Sequence, residues 1–158
     1  MSLVMSQAAL TFAEWAVIWS PVVDKDRRID AWRLLELPGD FENLEPEYWS
    51  AFQIGSPQPE VSLHLHSALD MEGGHAREEW MRVFQFLGLT WKDSTLSPDH
   101  LAPACEALAV ALEHDDDVLV SELCHRYLLP WCERALEALG PSMKAVAEQY
   151  QSDLLELV

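Results

Sequence analysis

Basic residues are scarce in this chain: 10 Lys and Arg face 27 Asp and Glu over 158 residues, for a formal net charge of −17. Nucleic-acid affinity comes from cations set on phosphates, so no nucleic-acid partner is expected. The same balance argues against docking on an anionic membrane and favours basic, neutral or apolar partners. Cysteine is nearly absent too. Cys105, Cys124 and Cys132 are odd in number and form no C-x-x-C. A disulfide framework or a structural zinc site is not expected, and reduced thiols in a cytoplasmic protein are the simple reading. No run of about 18 apolar residues exists to span a bilayer, and no basic segment precedes an apolar one as in a signal peptide. Phosphate cradles are missing, with neither G-x-x-x-x-G-K nor G-x-G-x-x-G present. Period-2 alternation is missing as well, which removes the strand signal.

What is present is apolar and helical. Hydrophobic residues make up 49% of the chain and seven are Trp, which excludes disorder as the default. The length is one domain's worth, residues 1–158, and buries one core. The opening MSLVMSQ carries two Met, so residues 1–6 read as a start or cloning remnant outside the fold. Gln7 to Trp19 is a first helix, ended by Ser20-Pro21. Arg27 to Leu37 is a second, stopped by Pro38-Gly39. Pro46 opens a third, short helix at a first-turn position. Residues 54–74, with Pro57, Pro59 and Gly73-Gly74, read as an irregular connector. Trp80, Val83, Phe84 and Leu87 then recur at i, i+3, i+4, i+7, and Gly88 ends that helix. Leu101, Cys105, Leu108 and Leu112 mark the next helix, from Pro98 to Leu112. Leu119, Leu123, Tyr127, Trp131 and Ala135 mark another, kinked by Pro130. Met143, Val146, Tyr150 and Leu154 mark the last. The fold class that follows is all-α, a single-domain bundle of about six to seven helices with antiparallel neighbours.

Three constellations carry candidate chemistry. Ser97 suits a helix cap and Pro98 the first helical position, which places Asp99 in a first turn beside the positive end of the helix dipole. Adjacent helical side chains diverge, so Asp99 and His100 do not form an acid–imidazole dyad, and no Ser or Cys stands ready to complete a triad. Capping, or display of both groups to a partner at the helix mouth, are the readings left open. His64, His66 and His75 could form a metal half-site, but no Glu or Cys falls at a strong ligand spacing and no H-E-x-x-H occurs. The acidic run Glu113 to Asp117 lacks the calcium-loop alternation and reads as a solvated turn that caps the following helix. Trp80 and Trp131 sit on core stripes, whereas Trp91 lies in a loop before the helix mouth, where a binding surface or a lid over the core is expected.

The segment "REEWMRVFQFLGLTWKDSTLSPDHLAPACEALAVALEH", followed after about ten residues by "ELCHRYLLPWCERALEAL", resembles the TorD/DmsD/NarJ family of cytoplasmic chaperones for molybdoenzyme maturation. The likeness covers residues 62–155. It rests on Pro98-Asp99-His100 opening an apolar helix, on the Arg77–Leu89 helix before it, and on "YLLPWCERALEAL" from Tyr127 to Leu139. The resemblance implies a TorD-like, non-enzymatic fold without a cofactor of its own. Its partner would be the unfinished catalytic subunit of a molybdenum-containing oxidoreductase, held by an N-terminal segment that is often a twin-arginine signal peptide. Carried over, Asp99, His100, Trp80 and Trp91 would contact that peptide, and Pro98, Tyr127, Leu128, Pro130 and Trp131 would be scaffold. The chain departs from the pattern in three places: residues 1–60 show no match, Pro103 falls inside the expected helix and should perturb its second turn, and Tyr127 stands where the family often has His. A small all-α adaptor or accessory subunit of a redox complex, and a His-based metal enzyme, remain as alternatives. Both monomer and dimer are compatible with such a bundle.

Overall fold

The structure, a computed structural model, describes residues 6–55, 57–90 and 96–158. Its elements are α1 (Gln7–Trp19), α2 (Lys25–Leu34), α3 (Phe41–Phe52), the single turn α4 (Leu65–Ala68), α5 (Gly73–Phe86), α6 (Leu101–Glu113), α7 (Asp117–Leu123), α8 (Leu129–Ala138) and α9 (Pro141–Leu155). A π-helical turn, Cys124–Leu128, joins α7 to α8. Among the described residues the only β feature is an isolated bridge between His64 and His100. The all-α expectation therefore holds.

The centre of the bundle is α6. Leu101, Ala102, Pro103, Ala104, Cys105, Ala107, Leu108, Ala109 and Ala111 are buried, on every side of the helix. A helix apolar all round belongs inside. Its alanines let α1 lie close along it, and this is the most extensive helix pairing in the fold. Above that contact the large rings fill the core. Trp19 touches Trp15, Phe52, Trp131 and Tyr150 at centroid distances of 5.1–5.5 Å. Tyr150, fully buried, meets the Cys105 thiol at 3.0 Å. The three cysteines are free and buried, and burial pushes the Cys105 and Cys124 thiols up to about 12. Such thiols stay protonated and unreactive.

The α1–α3 corner is closed by a charge the sequence reading overlooked. Helix ends leave carbonyls without intrahelical partners. Arg28 on α2, 1% exposed, donates to the Ser20 carbonyl at 2.5 Å, and Tyr48 on α3 and Gln53 just after it donate to those of Ile18 and Trp19. The Arg28 guanidinium lies 5.2–5.8 Å from the ring centres of Phe41, Tyr48 and Trp49, which replace a counter-ion.

Several sequence expectations shift. The third helix begins at Phe41, not Pro46, so Pro46 lies inside it. The connector contains α4 and the His64–His100 bridge rather than irregular chain alone. The helix expected from Pro98 begins at Leu101, with His100 as its cap in place of Ser97. That offset puts Pro103 in the first turn, where its missing N–H is not needed, so the second turn is undisturbed. At Pro130, where the sequence implies a kink, the regular α-helical pattern is interrupted. The Leu129 N–H reaches the Cys124 carbonyl, an i→i+5 turn immediately before the proline. Asp116 in the acidic run caps α7 through the Leu119 N–H at 3.1 Å, as the sequence suggests.

Candidate functional site

Asp99 lies in the turn before α6 and is fully buried. Its carboxylate accepts from the Ser97 hydroxyl at 2.6 Å, from the His66 backbone N–H at 3.0 Å and from the His66 Nδ1 at 2.5 Å. Burial alone would push its pKa up. The bonds from Ser97 and His66 outweigh that and hold it below the usual carboxylate range. Two of these bonds end on α4, whose first turn is thus capped by a residue 33 positions away. Backbone bonds complete the junction: Leu65 N–H to the Asp99 carbonyl at 2.9 Å, and Leu101 N–H to the Leu63 carbonyl at 2.8 Å. His100 caps α6 by accepting the Ala102 N–H at Nδ1, 3.1 Å away, so its ring is neutral with the proton on Nε2. The His64 ring stands edge-on to it at 5.2 Å. Burial, reinforced by His64, lowers the His100 pKa to about 4.

The expectation that the helix mouth displays Asp99 and His100 is therefore corrected. Both point inward, at 0% and 3% exposure, because each is used up in capping a helix start. The acid–imidazole pair exists, but its imidazole is His66 and not His100. His64, His66 and His100 cluster, while His75 lies apart on α5 beside Glu79 at 3.8 Å. Among the described residues, no three His, Cys, Asp or Glu side chains converge closely enough to hold a metal ion.

Next to this junction a groove of about 270 Å³ runs between α5 and the α7–π segment. Trp80, Val83, Leu119, Leu123 and Tyr127 give it an apolar lining, and Glu79, Arg82, Glu122 and Arg126 supply charge. Trp80 is fully buried and lies tilted against Tyr127 with ring centres 5.2 Å apart, so it forms floor rather than an exposed contact. Phe86 lies one turn beyond Val83, and Val118 precedes Leu119. Both are strongly exposed, at 71% and 76%, and add apolar surface to α5 and α7. Glu79 accepts from the Tyr127 hydroxyl and from Arg126 Nη2 at 2.9 and 3.1 Å. Burial would raise its pKa, but those two donors outweigh it and keep the carboxylate ionised. Leu128 and Trp131 are buried, and the Trp131 indole donates to the Ser62 carbonyl at 2.8 Å. Pro98 is buried in the turn that carries Asp99. Trp91 lies outside the described residues.

Sequence reasoning named His66 only as a candidate metal ligand, not as the partner of Asp99, and missed Glu79 and Arg126. The only local signal was Glu79 at i+4 from His75; the pairs Asp99–His66 and Glu79–Tyr127 are 33 and 48 residues apart. No family model matches the chain, and no curated protein matches it in sequence. Among solved structures it is similar to an Archaeoglobus fulgidus protein provisionally described as a redox enzyme maturation protein. That likeness spans 98% of each chain with a TM-score of 0.69 at 18% identity. The chain thus has, from end to end, the all-α fold of that maturation protein.

Proposed function

We propose that the chain is a maturation chaperone for a molybdenum-containing oxidoreductase. It binds the N-terminal segment of the unfinished catalytic subunit, often a twin-arginine signal peptide, and holds that subunit in the cytoplasm until its cofactor is inserted. It performs no chemistry itself. The observation that carries this reading is the fold likeness, over 98% of each chain, to a protein provisionally described as a redox enzyme maturation protein. The groove supports it independently. An apolar floor with an ionised, mostly buried Glu79 at its edge suits a segment combining arginine with apolar side chains. The net charge of −17 favours the same cationic partner.

In this reading Trp80 floors the groove, and Trp91, which follows α5 in sequence, adds an apolar contact. Asp99 and His100 act as positioning residues: they fix α4 and the start of α6, against which α5 is set. Co-expression of the tagged chain with candidate molybdoenzyme catalytic subunits tests the proposal. The cofactor-free precursor should co-purify, and deleting its N-terminal segment should abolish capture. Retention at fixed stoichiometry in the finished, cofactor-loaded enzyme would instead identify a resident subunit.

A further inference from the structure

Arg126 sits on the π turn and reaches across the groove to α5, where its Nη2 lies 2.9 and 3.1 Å from the two Glu79 oxygens. The two partners differ in burial. The Glu79 side chain is 19% exposed and that of Arg126 is 52% exposed. A carboxylate withdrawn from water needs a cation nearby, whereas a half-exposed guanidinium loses little by returning to solvent. Both contacts use one nitrogen of Arg126 rather than the two-nitrogen fork that makes guanidinium–carboxylate pairing strong. The Arg126 guanidinium also lies over the edge of the groove, 5.6 Å from the Tyr127 ring centre. If Arg126 leaves, Glu79 keeps the Tyr127 hydroxyl and stays in place.

We propose that Glu79 is a guanidinium subsite of the groove, occupied in the free protein by the chain's own Arg126, and that an arginine of the bound segment displaces Arg126 to bind. The inference rests on the chaperone reading above. Arg126 is thus an internal competitor that lowers affinity for segments that bring an arginine, because that arginine must displace it, and leaves segments without one unaffected. The incoming arginine presents its fork to Glu79, while the apolar residues beside it cover Val83, Leu119 and Leu123. The acidic surface as a whole draws such a segment in, and Arg126 sets the threshold for staying. The π turn supplies the geometry: it places Arg126 and Tyr127, neighbours in sequence, on the same carboxylate.

Calorimetric titration with two short synthetic peptides tests this. One carries an arginine pair followed by an apolar run, and the other has glutamine in place of both arginines. Arg126→Gln should bind the arginine peptide about fivefold tighter than the unmodified protein, since a weak self-pair is removed. Its affinity for the glutamine peptide should not change. Glu79→Gln should weaken the arginine peptide about tenfold, the loss of one charged partner. Arg126 is half exposed, so that variant folds and decides the matter even if Glu79→Gln does not. If the unmodified protein binds the arginine peptide and Arg126→Gln binds it no tighter, the exchange is wrong while the chaperone reading stands. Equal binding of both peptides also overturns the subsite. If neither peptide binds any of the three proteins, the chaperone reading and the exchange fall together.

Discussion

Replacing Asp99 by alanine is expected to destabilise the fold by about 3–4 kcal/mol, the range for removing one partner from a buried charged cluster. The substitution leaves the Ser97 hydroxyl, the His66 N–H and the His66 Nδ1 without their shared acceptor, and it removes the cap of α4. Asp99→Asn keeps the shape and one acceptor oxygen but loses the charge, so it should cost about half as much. Urea unfolding followed by tryptophan fluorescence measures both. If Asp99→Ala unfolds at the same midpoint as the unmodified protein, the carboxylate does not hold the junction. Peptide affinity in the folded variants should fall only as far as α5 is displaced, since Asp99 does not itself face the groove.

Acid is expected to weaken the fold between pH 6.5 and about 4 through His100. Its folded pKa lies near 4 and its ordinary value is 6.5. The unfolded chain therefore binds the extra proton first as pH falls. The stabilisation is complete above pH 6.5 and is lost progressively towards the folded value. The shift corresponds to about 2–3 kcal/mol of added destabilisation between pH 7 and 4.5. His64, also lowered by burial, works in the same direction; Asp99 beside it, held below its ordinary range, contributes only at lower pH. The measurement is the difference between the unmodified protein and His100→Asn, because Asn retains an N-cap acceptor but takes no proton. Relief of repulsion among the many carboxylates affects both proteins alike. Parallel stability curves for the two from pH 7 to 4.5 would show that His100 is not the titrating group.

The helices were legible where punctuation is local. Gln7–Trp19 is found to the residue and Ser20-Pro21 stops it, while Ser6, which the sequence reading placed outside the fold, is its N-cap. Gly88, at a φ of 74°, ends α5 as its position just past the last apolar repeat implies. The start of α6 was misplaced because Pro98 suits a tight turn as well as a first helical position. What decides between them is the bridge from His100 to His64, and the sequence gives no sign of that pairing. The site was legible only in part. Asp99 and His100 stand out through their place at a helix mouth, yet their partners arrive from residues 64–66. Glu79 reads as one acid among many on an exposed helix until Tyr127 and Arg126 close over it. Trp80 shows its burial through the stripe it shares with Phe84 and Leu87, and that same stripe hides its second role as the floor of a groove.

The central claim is that a client's leading segment lies in the groove between α5 and the α7–π segment. Hydrogen exchange of the chain, with and without the arginine-bearing peptide, tests it most directly. The account predicts added protection confined to Gly73–Phe86 and to residues 117–128. Protection centred on α2 and α3, with those two segments unchanged, would contradict it.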